Sequence, residues 1–304
     1  MLRIALGLLL ALHVSCARAM DSKEILQHGL EKAVRDTCSQ FKTPELKADQ
    51  IAVSVINLSS QPLIHAAVNG DERFYPASVV KLFYLVAVHQ WLEDKKISDS
   101  DELRRAMHDM IVDSSNDATA YIVDLLTGTT AGPELPLAEL EVWSKKRDAV
   151  TQYFDLLGFK NVNANRKPWA DGPYGREAQA QRMHTPASNY LSTNDTARLL
   201  AEIALLKCVS KASSQQMLEL LDREPYLRNH IPNEQATDFS LAGLPRGTRM
   251  WSKAGWTSSV RHDAILLELS NGNRYVIVTF TSGKEHARNH AIIPSLVKRI
   301  ISEL

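Results

Sequence analysis

Apolar positions recur along this chain with two periods, and the switch between them predicts its architecture. Behind an acidic start at Asp21-Ser22-Lys23-Glu24, the residues Ile25, Leu26, Leu30, Ala33 and Val34 recur at helical spacing. β-Rich runs over 51–58 and 63–68 then read as a hairpin across Ser59-Ser60-Gln61-Pro62. After Tyr75-Pro76-Ala77, the run Leu82-Phe83-Tyr84-Leu85-Val86-Ala87-Val88 is apolar nearly all round, which predicts a helix inside a core. Helical spacing continues over 101–110, 117–126, part of 137–157, 193–206 and 213–221. Strand-like runs return at 249–254, 263–269 and 275–281, with Asn271-Gly272 as a hairpin signal between the last two. An amphipathic helix over 292–304 follows, with Pro294 placed in its first turn. The segment 161–191 differs: it holds Pro168, Gly172, Pro173, Gly175 and Pro186 with little periodic apolar content, and reads as a long functional loop.

Strands near both ends with helices between them predict an α+β fold. One antiparallel sheet is assembled from both chain ends and flanked by helices, a helical subdomain is inserted, and a cleft lies at the junction. The expected division is an α/β part over about 20–77 and 207–304 and a helical part over about 78–206.

Composition narrows the function. Lys+Arg and Asp+Glu each total 35, so the formal net charge is zero, and nothing favours nucleic acid, anionic membranes or polyanions. Residues 1–19 have a different logic: Arg3 is a positive n-region, Ile4 to Leu12 a short apolar core, and Ala17-Arg18-Ala19 a cleavage site. That pattern predicts a secretory signal, hence a secreted or periplasmic chain with no membrane-spanning segment after cleavage. His13 stands where a lipoprotein signal wants an aliphatic residue, which argues against lipidation of Cys16. Cys38 and Cys208 remain; a disulfide and two buried thiols both fit their spacing. There is no C-x-x-C, H-E-x-x-H or phosphate loop, and His286 with His290 reads as a surface pair, so no metal or cofactor is expected.

Chemistry concentrates at Ser78-Val79-Val80-Lys81. Residues i and i+3 share a helix face, so the Ser78 hydroxyl and Lys81 amine are expected to meet. A serine is a poor nucleophile until a base takes its proton, and a lysine desolvated at a buried helix start suits that task. The pattern also occurs at Ser39/Lys42 and Ser295/Lys298, but both of those read as solvated surface. Two further segments follow in order: Ser114-Ser115-Asn116 between two predicted helices, and Lys253-Ala254-Gly255 on the first late strand.

Ser-x-x-Lys, Ser-x-Asn and Lys-x-Gly in this order resemble the class A β-lactamase family, within the larger group of penicillin-recognising serine enzymes. Tyr75-Pro76-Ala77-Ser78, Met110-Ile111 and Ser192 to Leu200 are similar to that family too. The resemblance covers most of the mature chain and implies a β-lactamase/transpeptidase-like fold and an acyl-serine hydrolase of β-lactam amides. Ser114 would relay a proton to the leaving nitrogen. Asn116 would hold a substrate amide, and Lys253 would attract a substrate carboxylate. Gly255 permits close approach of substrate along the strand edge. The backbone amides of Ser78 and Trp256 would form the oxyanion hole, and Arg261 lies near where some relatives place a carboxylate-binding arginine.

Three departures qualify the resemblance. Ser115 and Ala254 replace the usual aspartate and threonine, and only 36 positions separate Ser78 from Ser114, which implies a trimmed helical part. No Glu-x-x-Leu-Asn stretch is present to hold a hydrolytic water. Glu177, fifteen residues before Ser192, is the nearest candidate, although Arg176 and Arg182 offer it surface ion pairs instead. Two rivals therefore accompany the β-lactamase reading: a peptidoglycan D,D-peptidase acylated at the same serine, and a non-catalytic penicillin- or muropeptide-binding domain. A serine-dependent glutaminase shares the fold, but the export signal argues against that intracellular role. In each reading the partner is a small β-lactam or cell-wall peptide, and the chain is expected to be a monomer.

Overall fold

The computed structural model describes residues 22–169, 172–183 and 185–304. Residues 1–19, expected to be a secretory signal and including Cys16, lie outside the described residues, as does Asp21. Helix α1 (22–40) leads into the hairpin of β1 (Ile51–Asn57) and β2 (Ile64–Val68). A 3-10 turn, Ala77–Val80, opens α2 (Lys81–Glu93). The helical region continues with α3 (Asp101–Ile111), α4 (Asn116–Thr127), α5 (Leu137–Arg147) and α6 (Ala149–Leu156). After it come β3 (Val162–Asn163), α7 (Gly175–Met183), β4 (Tyr190–Leu191), α8 (Thr193–Ala204) and α9 (Lys211–Leu221). Short helices α10 (Glu224–Arg228) and α11 (Glu234–Thr237) precede β5 (Arg249–Trp256), β6 (Val260–Glu268) and β7 (Arg274–Ser282). Helices α12 (Lys284–Ala287) and α13 (Ile292–Ser302) follow.

Five strands form one antiparallel sheet in the order β2-β1-β7-β6-β5, so β1 pairs with β7 from the other end of the chain and β2 lies at the edge beyond β1. The fold is α+β, as the strand and helix order predicts, with the β-lactamase/transpeptidase-like layout that the resemblance implies. Period-two alternation buries both faces of the sheet. Ile51, Val53 and Val55 of β1 join Ile277 of β7 and Leu296, Val297 and Ile300 of α13 in one core cluster with α1. Ala52 and Ile56, with Val276, Val278 and Phe280, face the other way into the cluster that contains α2 and α8. Where a polar residue falls on that inner face it finds a partner: the Ser54 hydroxyl is 2.8 Å from Thr193 Oγ1 and 2.7 Å from Asn194 Oδ1, at the start of α8.

Helix α2 is the central rod, as its all-round apolarity predicts, with every residue from Lys81 to His89 buried. Phe83 stacks edge-on against Phe154 of α6 (centroids 4.8 Å apart) and Phe159 (6.2 Å). Near its far end the Trp91 indole donates to the Leu126 carbonyl (3.1 Å). This helix cannot rotate without stripping a complete shell of contacts, so the direction of Lys81 is set by packing.

Several expectations change. The segment 161–191 is not structureless: β3 and β4 pair across its ends (Val162 with Leu191, Asn163 with Tyr190) and α7 lies inside it. Ladders of two residues and a nine-residue helix leave little periodic signal. Cys38 and Cys208 are free, on opposite faces of the sheet, and only Cys208 is buried. His286 is buried on α12 while His290 is exposed beyond it, so the two do not form a surface pair. No described helix is long and apolar enough to cross a membrane.

Because Phe83 is fully buried among aromatic edges, Phe83→Ala leaves a cavity that a rigid α2 cannot fill. It is expected to cost about 3–5 kcal/mol of unfolding free energy. A urea midpoint close to wild type would mean α2 is not the packed centre.

Candidate active site

Three segments converge at the edge of the sheet. The first is the 3-10 turn that carries Ser78, the second the connection between α3 and α4 that carries Ser114, and the third is β5 with Lys253. Two of these turns hold left-handed residues without being glycine: Ala77 has φ +45° and Ser114 has φ +57°. Such conformations cost on the order of 1–3 kcal/mol each and persist only where surrounding structure holds them. Here the holders are visible. Asn116 begins α4, and Ser115, in place of the expected aspartate, caps that helix by accepting from the Ala118 amide (3.2 Å). A serine serves an N-cap as well as an aspartate does, so this departure leaves the local fold intact.

Lys81 projects from the first turn of α2 to the Ser114 turn. Its amine donates to the Ser114 carbonyl (2.5 Å), Ser114 Oγ (3.2 Å) and Asn116 Oδ1 (2.9 Å). Three donors meet three acceptors, and none is Ser78. The sequence-based expectation of a direct Ser78–Lys81 hydrogen bond is therefore not met: the half-buried Ser78 hydroxyl makes no hydrogen bond among the described residues. The reason is competition. Ser114 and Asn116 present three acceptors that engage the Lys81 amine, although a 3-10 turn by itself sets i and i+3 side chains one above the other.

Lys253 reaches the same serine from the opposite side. Fully buried, its amine donates to Ser114 Oγ (3.0 Å), the Ala254 carbonyl (2.9 Å) and Gln235 Oε1. Ser114 Oγ thus accepts from both lysines, and its two lone pairs are occupied. Its own hydrogen is left to donate elsewhere. Burial pushes Lys81 down to about 7. Burial, with the Lys81 and Arg223 charges, holds Lys253 well below its usual value.

Gly255 explains how β5 comes so near. A Cβ built there would lie 2.8 Å from Ser78 N, 2.8 Å from the Pro76 carbonyl oxygen and 2.9 Å from Val79 N. Only a residue without a side chain lets the strand run alongside the serine turn. Trp256, the next residue, is 37 % exposed and stacks on Phe239 (centroids 5.4 Å apart), leaving an aromatic surface at the strand end.

Sequence reasoning missed three side chains that brace this arrangement. Gln235 is buried and holds Lys253. His262, opposite Gly255 in the ladder, is fully buried; its Nδ1 accepts from the Thr281 amide (3.2 Å), so its Nε2–H donates to the Tyr75 carbonyl (2.8 Å) just before the serine turn. Burial pushes this imidazole down to about 4, which keeps it neutral. Arg223, fully buried, donates to the Ser252 carbonyl (2.6 Å) and Ser252 Oγ (3.1 Å) beside Lys253. An isolated Gln, His or Arg carries no motif, so nothing in the sequence marked them.

Two predicted residues stand apart from this group. Arg261 is buried, donates to the Asp238 carbonyl (2.8 Å) and lies over the Phe239 ring at 4.0 Å. Glu177, on α7, is 1 % exposed and not on the surface. It pairs with Arg147 and stands 3.6 Å from Lys167 Nζ, while Asp124 binds the same two cations. Arg176 and Arg182, its expected surface partners, turn instead to the Pro133 carbonyl and Glu134. Glu177 lines a cavity of about 170 Å³ with Tyr75, Lys167 and Trp169 among its walls. Elsewhere, His108, Asp109 and Asp113 bring metal-type ligand atoms within 4.8 Å at the end of α3, with Asp109 already engaged by Arg105 (3.4 Å).

A family model described as the β-lactamase enzyme family matches residues 30–304. No curated protein matches the chain. Among solved structures, PBP-A is 19 % identical with a TM-score of 0.65, over 91 % of this chain and 95 % of that one. The TLA-1 extended-spectrum β-lactamase is 17 % identical with a TM-score of 0.65, over 92 % and 98 %. A β-lactamase from Sphaerobacter thermophilus is 18 % identical with a TM-score of 0.63, over 91 % and 97 %.

The depressed Lys81 value has a stability consequence with a definite sign. Between about 7 and the ordinary lysine value of 10.5, the unfolded chain binds a proton at this residue that the folded chain does not. Stability therefore rises with pH across that window, and the burial penalty is largest below it. Lys81→Met, which keeps the volume without the charge, is expected to gain most over wild type below pH 7 and progressively less towards pH 10. Urea unfolding of both proteins at several pH values checks this; a pH-independent difference would mean that Lys81 keeps its ordinary affinity for protons.

Proposed function

Because the chain belongs to the β-lactamase enzyme family, we propose that it is an exported, monomeric serine hydrolase that opens β-lactam amides through an acyl-Ser78 intermediate. The observation that carries the reading is the Ser114 hydroxyl held between the amines of Lys81 and Lys253, with Gly255, two residues beyond Lys253, packed against the turn that bears Ser78. That arrangement joins a base, a relay and a cation beside one half-exposed nucleophile. We read residues 1–19 as the export signal.

In this mechanism the substrate carboxylate enters a cleft lined by the Lys81 and Lys253 amines, and attraction to the protonated Lys253 positions the amide over Ser78. A neutral Lys81 amine takes the Ser78 proton as Oγ bonds to the amide carbon, and the carbonyl electrons move to oxygen. The amides of Ser78 and Trp256 stabilise that oxyanion, and Asn116 holds the substrate's side-chain amide. The C–N bond then breaks as Ser114 donates its proton to the nitrogen and recovers one from a lysine amine. Water finally cleaves the ester, releasing the opened acid and restoring Ser78.

A second reading rests on Glu177. Among the described residues no carboxylate hydrogen-bonds Ser78, Lys81, Ser114 or Asn116, and Glu177 is engaged by Arg147 and Lys167. If Glu177 stays there, no base is poised over the ester and the acyl-enzyme persists. The chain then behaves as a penicillin-binding peptidase acting on cell-wall peptides. A mutant of the structurally similar PBP-A is described as an acyl-enzyme complex with penicillin G.

Intact-mass spectrometry over time after adding penicillin separates these outcomes. An adduct on Ser78 that forms and clears supports hydrolysis. One that persists, together with release of D-Ala from a stem-peptide mimic, supports the second reading. Absence of any adduct sinks both. Ser78→Ala is expected to lower acylation at least about a thousand-fold. Acylation should speed up as pH rises through about 7, because the base must lose its proton. Gly255→Ala, whose Cβ would meet Ser78 N at 2.8 Å, is expected to slow acylation roughly a hundred-fold by displacing the turn; wild-type rates in that variant would refute the close-approach role.

A further inference from the structure

Gln235 has every hydrogen-bonding valence of its side chain filled, and the four partners belong to two different parts of the site. Its Oε1 accepts from the Lys253 amine and from the Ala254 amide (3.2 Å), both on β5. Its Nε2 donates to the carbonyls of Ile111 (3.0 Å) and Val112 (2.8 Å), at the end of α3. The orientation is dictated by chemistry: turning the amide over would face its NH₂ group to two donors and its oxygen to two carbonyls. Val112 lies two residues before Ser114, whose φ is +57°. The same amide therefore anchors the strained turn that carries Ser114 and the strand that carries Lys253. Asn233, two residues earlier, adds a second tie to the Val112 carbonyl (3.2 Å).

The position is also notable for its charge. Lys253 is buried with three neutral acceptors and no carboxylate in contact. Facing it are Lys81 from α2, Arg223 from the segment before α10 and Asp263 from β6. Asp263 Oδ2 is already bound by the Ser240 amide (3.1 Å) and hydroxyl (2.6 Å). A glutamate at 235 would fit the same space, yet it would neutralise the cation and lose both donors to α3.

We propose that Gln235 is a positioning residue for this reaction, its amide setting the contact between the Lys253 amine and the Ser114 hydroxyl while leaving the cleft's positive charge uncompensated. It acts through Lys253 and Ser114 and does not itself meet substrate. The kinetic consequence rests on the acyl-serine reading; the effect on Lys253 does not.

Wild type, Q235E and Q235M are compared with circular dichroism as the check on folding. The first readout is an NMR titration of the lysine side-chain amines in the unliganded chain, with the Lys253 signal assigned by its loss in Lys253→Arg. A carboxylate at 235 is expected to raise the Lys253 midpoint by at least about one pH unit, and the apolar methionine to lower it. Equal midpoints in all three folded proteins would overturn the proposal. The second readout is the acylation rate with a fluorescent penicillin against pH. Q235E is expected to be at least about ten-fold slower, with its alkaline limb displaced upward. A lower active fraction with an unchanged pH profile would mark Gln235 as merely structural and also overturn the proposal. Should wild type fail to acylate while the Lys253 midpoint still moves as expected, the acyl-serine reading falls and the role of Gln235 in holding Lys253 is supported.

Discussion

One oxygen, Ser114 Oγ, accepts a hydrogen bond from two buried lysine amines, and the rest of the site is arranged to make that contact tolerable. Two cations brought to one atom inside a protein repel each other and lose their hydration, so they need either carboxylates or a complete set of neutral acceptors. This protein uses the second solution. Each amine has three acceptors, drawn from Ser114, Asn116, Gln235 and a backbone carbonyl. The amines stay solvated by the protein while holding their protons weakly.

That solution demands geometric control, because neutral acceptors attract less strongly than carboxylates and depend more on direction. The control comes from rigid elements on three sides. Helix α2 is buried along most of its length and fixes Lys81. Strand β5 is held to β6 through eight paired positions and carries Lys253 and Gly255. The two strained turns are tied down by His262 at Tyr75 and by Gln235 at Ile111 and Val112. Both ties are neutral at ordinary pH and bury no additional charge.

The segment between β3 and β4 follows the opposite logic. Buried Arg147, Lys167 and Glu177 join the partly exposed Asp124 in a group of two anions and two cations. Removing one partner from such a group strands a charge, so its members are hard to reassign individually. Asn189 adds a neutral clamp, accepting from the amides of Asn165 (3.0 Å) and Arg166 (2.9 Å), while Tyr84 on α2 donates to the Arg166 carbonyl (2.7 Å). The segment is thus pinned to the helix that carries Lys81 although its own sequence has little apolar periodicity.

Patterning by itself determined the sheet drawn from both chain ends, the buried character of α2, and the order of the Ser78, Ser114 and Lys253 segments. These follow from local periodicity and from residue types that few other contexts require. Tertiary structure decided where each amine points. The Ser78–Lys81 spacing suggested a direct contact, but the acceptors of Ser114 and Asn116, brought in from the turn before α4, hold the amine elsewhere. Glu177 read as a candidate base whose alternative was pairing with its sequence neighbours Arg176 and Arg182, because its actual partners, Arg147 and Lys167, are distant in sequence and adjacent only after folding. Gln235, His262 and Arg223 were invisible for the same reason. A buried polar residue is recognised by its partners, and those partners are assembled by the fold.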